Sequence, residues 1–357
     1  MKLVVIGLGQ CGGRIADEFA KLNNRAKRDR GIEIITGVFA TNTDAADLSG
    51  LTAIKRDFQH RILIGGRKTG GHGVGKINEL GAEVAKDDAD KIIDAIRTTK
   101  RFYETDAFLL IASAAGGTGS GSLPVITQHI KARYSDKPVY SMVVLPFEHE
   151  EQTEDRSIYN AATCLKSTYS VADAVFLIEN QRYIRKDSSL VNNLSKINAL
   201  IAEPFYNVLC AGEEKKTKHI GAKLLDAGDI MQTLVGWTVI GYGTSPLPLI
   251  RLPGDRTRDF RKKGSETQKG IQTMDNAISE LSLRCNPEDA RRAIYLFTAP
   301  ARDTNVDVVK EIGDYLRGLC PEAIIRNGDY PRASGSMDIS VILSELSDVE
   351  KIREYYV

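Results

Sequence analysis

An excess of either charge is the first thing the sequence lacks: 48 Lys and Arg stand against 47 Asp and Glu in 357 residues, a net charge of +1. DNA, RNA and acidic membranes select strongly basic proteins, so no nucleic acid is expected as a partner. No apolar run approaches the ~20 residues of a membrane-spanning helix, so direct membrane insertion is not expected either. The opening MKLVVIGLGQ runs from a few apolar residues straight into glycine, too short for a secretory leader and without a cleavage site. Cysteine is scarce as well. The five residues Cys11, Cys164, Cys210, Cys285 and Cys320 are scattered and form no CxxC pair, which excludes a disulfide framework or structural zinc site as the expectation. The expected location is the cytoplasm.

What is present is an alternation of strand and helix patterns. KLVVIGLG reads as a buried strand entering a glycine turn, and GGRIADEFAKL continues with helical spacing. IEIITGVFATNT, DAFLLIASAA, PVYSMVVLPF and DAVFLIEN repeat the strand. Strands this continuously apolar are covered on both faces. They predict an α/β fold: an N-terminal Rossmann-like domain with a doubly wound, mostly parallel sheet, binding its ligand beyond the carboxyl ends of the strands.

From residue 188 to 212 a helical period, interrupted by Pro204, predicts a long central helix. GWTVIGYG, RRAIYLFTAPA, EAIIRNGDY and SMDISVILSEL then read as strands, with helices at TQKGIQTMDNAISELSL and NVDVVKEIGDYLRGL, giving a smaller C-terminal α+β domain. The expected division is 1–183, 184–215 and 216–357. Residues 244–270 carry Arg251, Arg256, Arg258, Arg261, Lys262 and Lys263 without an apolar period, and predict a solvated loop or an interaction loop.

Glycine marks the chemistry. IASAAGGTGSGSLPVITQHI (111–130) places Gly116, Gly117, Gly119 and Gly121, with Thr118 and Ser120, between a buried strand and a helix. Successive glycines let backbone N–H groups converge, and the following helix adds the positive end of its dipole, which together make an anion cradle. It is not a P-loop, because GxxxxGK[ST] requires a lysine that this loop lacks. GLGQCGG (7–13) satisfies GxGxxG through Gly7, Gly9 and Gly12, but the acidic residue expected about 20 positions on is missing there, which weakens a dinucleotide reading. GGRKTGGHGVGKINELG (65–81) is a third such loop. Three loops at the ends of neighbouring strands suit a nucleoside triphosphate.

Other polar stretches say less. FEHEEQTED (147–155) has no metal-ligand spacing and predicts an exposed acidic loop. Cys11 has no partner base and is expected to pack rather than react. Asp226 and Asp229 in LLDAGDIMQTL are three apart, which predicts a shared helix face in an acidic first turn.

GGTGSG (Gly116 to Gly121) is similar to the tubulin/FtsZ signature, and GQCG (Gly9 to Gly12) to the first nucleotide loop of tubulin. NTDAADL (Asn42 to Leu48) and GHGVG (Gly71 to Gly75) resemble the second and third loops of FtsZ. The resemblance spans the chain and is greatest to the CetZ group, the archaeal branch between FtsZ and tubulin. It implies a GTP- and GDP-binding protein that uses Mg²⁺, polymerises with copies of itself and hydrolyses GTP between them.

By this resemblance Gly9, Gln10, Cys11, Val74, Gly75, Gly116, Gly117, Thr118, Gly119 and Ser120 hold the phosphates, with Arg14 and Asn42 in the first and second loops beside them. Glu150 and Arg156 lie near the ribose, and Asn180 and Asn198 read the guanine edge, for which an amide offers both donor and acceptor. Asp226 and Asp229 belong to a loop that one subunit inserts into the nucleotide site of the next. The basic loop at 244–270 falls where side-by-side contacts are made. Four positions depart from the pattern: Ala115 replaces the first signature glycine, Ile77 a polar residue, Leu224 an asparagine, and Leu194 an aromatic that stacks on guanine. These departures leave room for a nucleotide-binding scaffold that does not hydrolyse.

Overall fold

The computed structural model describes the chain except residues 187–192, 217–218, 222, 248–257, 302–303, 305, 333–334 and 357, and the side chains of 185–186, 258–263 and 265. In chain order the elements begin β1 (Leu3–Leu8), α1 (Gly9–Arg25), β2 (Ile35–Asn42), α2 (Ala45–Ser49), β3 (Arg61–Leu63), α3 (Gly66–Thr69), α4 (Asn78–Asp87) and α5 (Ala89–Arg97). There follow β4 (Ala107–Ser113), α6 (Gly117–Arg133), β5 (Val139–Leu145), α7 (Glu148–Thr153), α8 (Asp155–Val171), β6 (Ala174–Glu179), α9 (Asn180–Lys186) and α10 (Leu194–Ala211). The remainder is α11 (Ala227–Thr233), β7 (Gly236–Pro246), α12 (Arg258–Ser279), β8 (Arg292–Ala299), α13 (Val306–Leu319), β9 (Ile324–Pro331), β10 (Ser336–Leu346) and α14 (Glu350–Glu354).

The strands form one sheet in the order β3-β2-β1-β4-β5-β6-β7-β10-β8-β9. β10 runs antiparallel to both neighbours, and every other pairing is parallel. The N-terminal domain and the smaller C-terminal domain expected from the sequence share this sheet, which is continuous where Ala174, Val175 and Phe176 of β6 pair with Gly236, Trp237 and Thr238 of β7. Each strand feeds two cores, as its period of two requires. Leu3 and Val5 of β1 pack with Ile15 and Phe19 of α1 and Ile201, Phe205 and Leu209 of α10. Val4 and Ile6 pack on the other face, with Ile92, Ile96, Leu123 and Ile126.

The central helix α10 has 18 residues and continues through Pro204 rather than breaking there. It is about 27 Å long at 1.5 Å per residue. Its apolar face also meets Ile240, Ile294 and Ile342, so it braces both halves of the sheet.

Three local expectations are corrected. The stretch predicted as a loop to residue 270 is helical from Arg258, because Arg, Lys, Glu and Gln sustain a helix that hydrophobic periodicity cannot reveal; Arg251 and Arg256 lie outside the described residues. The acidic stretch 147–155 forms α7 and the start of α8 rather than a loop, with Glu150 accepting from the Phe147 N–H at 2.9 Å. Asp226 is not on a helix face: it is the N-cap of α11, accepting from the Asp229 N–H at 2.8 Å, while Asp229 accepts from the Asp226 N–H at 3.4 Å.

Candidate functional site

A cleft of about 360 Å³ opens beyond the carboxyl ends of β1, β2, β4, β5 and β6, the place where parallel sheets bind ligands. Its floor is two helix N-termini. α1 starts at Gly9 and α6 at Gly117, neither has a side-chain cap, and neither carries an acidic residue in its first turn. The orphan N–H groups of both turns are therefore available to an anion, and both dipoles favour it. The turns meet closely: Gly9 has φ +71°, and a Cβ there would lie 3.0 Å from the Gly119 nitrogen. A Cβ on Gly116 would meet nothing within 4 Å and would project into open space.

The second loop is tied to the first by residues the sequence reading passed over. Asp47 accepts from Gln10 Nε2 at 2.6 Å and from Asn42 Nδ2 at 3.0 Å. Asn42 Oδ1 accepts from the Thr43 and Asp44 N–H groups, so Asn42 organises its loop as well as lining the cleft. Thr43 and Thr118 join the second loop to α6 through their hydroxyls, 2.6 Å apart.

The third loop packs on the first turn of α6, where a Cβ on Gly117 would lie 2.8 Å from the Ile77 nitrogen. Gly70, Gly71, Gly73 and Gly75 all take positive φ, and so does Lys76 at +62°. Lys76 lines the cleft. Its carbonyl accepts from Arg156 Nε at 3.3 Å and from Asn160 Nδ2 at 2.9 Å, and its ammonium is paired with Glu154.

The far wall carries Phe147, Glu150, Asn180, Leu194, Ile197 and Asn198. Asn198 is 8% exposed. Cys11 also lines the cleft, but burial pushes its thiol up to about 12, so it is neutral and unreactive at physiological pH.

Of the predicted site residues, the cleft brings together Gly9, Gln10, Cys11, Arg14, Asn42, Gly116, Gly117, Thr118, Gly119, Glu150, Asn180 and Asn198. Val74, Gly75, Ser120 and Arg156 are not among its lining residues. Val74 is buried, the Ser120 hydroxyl turns back to the Gly116 carbonyl, and Arg156 pairs with Glu79 while holding the Lys76 carbonyl. Asp44, Asp47, Gly73, Lys76, Phe147 and Ile197 also line the cleft and were not expected there from the sequence. Asp44 and Asp47 carried a usable signal, the Asp-x-x-Asp of a capped helix start.

Asp226 and Asp229 are not in the cleft. They follow the carboxyl end of α10, where a Cβ on Gly212 would come 2.6 Å from the Met1 nitrogen and 3.6 Å from the Ala227 nitrogen. The cleft lies at the opposite ends of both β1 and α10.

No group of three or more His, Cys, Asp or Glu among the described residues is placed to cage a metal ion. Mg²⁺ bound with phosphates keeps its waters and needs only one or two protein carboxylates. Asp44 and Asp47 in the cleft fit an ion that arrives with a nucleotide.

Fold and cleft define a doubly wound α/β protein with a phosphate cradle. Residues 2–186 match the Tubulin/FtsZ family, GTPase domain, and residues 187–356 match the Tubulin-like CetZ, C-terminal domain. The chain is 32% identical to Tubulin-like protein CetZ1 of Haloferax volcanii, over 99% of its own length and 90% of the relative. The structure of Haloferax volcanii CetZ1 as a GDP-bound monomer superposes with a TM-score of 0.83 at 29% identity, covering 99% of this chain and 97% of the other. That of Haloferax volcanii CetZ2 as a GTPγS-bound protofilament gives 0.82 at 26% identity, covering 99% and 96%. The chain belongs to the tubulin/FtsZ family, and its relatives place it with the tubulin-like CetZ proteins.

Proposed function

We propose that this protein is a cytoskeletal GTPase of the cytoplasm that binds GTP and GDP, polymerises head to tail and hydrolyses GTP at the contact between subunits, in cell shape control or division. In this reading residues 1–183 form the nucleotide domain, 184–215 carry the central helix, and 216–357 supply the acidic loop. The first turns of α1 and α6 hold the phosphates, Glu150 sits by the ribose, and the amides of Asn180 and Asn198 read the guanine. Mg²⁺ held by the phosphate oxygens offsets the charge that develops there.

The observation that carries the proposal is the separation of parts along α10: its first turn, with Leu194, Ile197 and Asn198, lines the cleft, and the acidic pair follows its other end. One chain cannot close its own site. A second copy stacked along this axis brings Asp226 and Asp229 over the cleft, where their carboxylates orient the attacking water and accept its proton. A solved relative forms a GTPγS-bound protofilament, which supports this assembly. The region 244–270 supports lateral association of protofilaments.

Asp226→Asn tests the catalytic assignment because it keeps a capping oxygen for α11 and removes the charge. Expected are unchanged GTP affinity, turnover lower by about two orders of magnitude, as is usual when acid-base assistance is lost, and longer-lived filaments. Undiminished turnover at high protein concentration contradicts the assignment.

A further inference from the structure

Lys76 is a cation in a place where the motif reading expected none. The third loop brings it onto the first turn of α6, and a Cβ on Gly117 would lie 2.8 Å from the Lys76 carbonyl carbon. The cradle's own glycine loop has no lysine, and the lysine that lines the cleft comes from a different loop.

Two features single it out. Its backbone is held at φ +62°, where a side chain is disfavoured, by Arg156 and Asn160 gripping its carbonyl and by Ile77 donating to the Val74 carbonyl at 3.1 Å. A strained lysine gripped on both sides fixes where its side chain begins and leaves the ammonium to choose partners. The side chain is 42% exposed, and its ammonium is paired with Glu154, 3.5 Å from Ser157 Oγ and 4.0 Å from Glu150 Oε1. Glu154 is also held by the Ser157 hydroxyl at 2.8 Å, so it keeps a donor if the lysine leaves.

The position along the cleft says which phosphate is concerned. The sheet order places Asn180, after β6, at one end of the cleft and Asn42 and Asp44, after β2, at the other. The third loop, which starts after β3, reaches from that end over the first turn of α6, where its Lys76 meets Glu150 and Glu154. A nucleotide with its base at the amide end directs its terminal phosphate toward the third loop.

We propose that Lys76 is an exchangeable cation that leaves Glu154 for the terminal phosphate of a nucleoside triphosphate, and so sets the preference for triphosphate over diphosphate. This rests on the nucleotide reading above. The exchange replaces one charge-assisted hydrogen bond by another. It also releases Glu154, which lies between α7 and α8, so nucleotide state reaches these two helices.

The test is the equilibrium affinity of the full chain for fluorescent GTP and GDP analogues in the wild type, Lys76→Met, Glu154→Gln and the double variant. Lys76→Met should weaken GTP about tenfold, the worth of one charged hydrogen bond, and leave GDP within about twofold. Glu154→Gln should strengthen GTP by removing the competitor, and the double variant should match Lys76→Met. The GDP affinity reports that each variant is folded. Equal loss of both nucleotides in Lys76→Met, no change in either, or a Glu154→Gln effect that persists in the double variant overturns the proposal. A wild type that binds neither nucleotide overturns the nucleotide reading itself.

Discussion

At the residue scale, the cleft depends on a buried charge outside it. Asp17 of α1 is 4% exposed and accepts from the N–H groups of Thr52, Ala53 and Ile54 and from the Thr52 hydroxyl. It anchors the segment after the second loop to the helix whose first turn forms the cradle. Burial opposes its charge, but these donors outweigh burial and hold the carboxyl below its ordinary range. A depressed carboxyl stabilises the fold fully above its unfolded pKa, and the contribution is lost as pH falls through the folded value, below about pH 4. Asp17→Ala should therefore cost about 2–3 kcal/mol at neutral pH, where several buried donors lose their acceptor, and much less in acid. Urea unfolding at both pH values measures it; equal losses at the two contradict the account. The loop that floors the cleft was legible because glycine and hydroxyl types repeat in it. Lys76 was not, because its carbonyl is gripped by Arg156 and Asn160 from far along the chain, and no local pattern carries that.

At the scale of elements, strands were read correctly wherever both faces are buried, as in the fully buried β1, β5 and most of β4. Three-residue β3 gave no period to find. α12 shows the opposite failure: its first turns are charged, so its 22 residues were divided between a loop and a shorter helix. Asp226 was read as helical because a cap and a first-turn residue have the same spacing. The basic residues Arg258, Arg261, Lys262 and Lys263, proposed to support lateral association, fall in the first turns of α12. Neutralising these four should leave single protofilaments and abolish sheets in electron micrographs. Sheets that persist at the same density count against a lateral role for this segment.

At the scale of the whole molecule, β1 and α10 span the distance between the cleft and the acidic pair at the start of α11. The cleft lies at one end of each, and Asp226 and Asp229 lie near the other. Under the proposed function, hydrolysis is a property of the assembled chain: a monomer holds GTP without the carboxylates proposed to act on it. In the same proposal, loss of the terminal phosphate weakens the contact that brought them together. The most direct test measures GTP turnover per subunit against protein concentration with Mg²⁺ present, recording light scattering on the same samples. A shared threshold, above which turnover and scattering rise together, is the predicted result. Turnover per subunit that is flat across concentration, or absent while GTP stays bound, would contradict assembly-coupled hydrolysis and leave a nucleotide-binding scaffold.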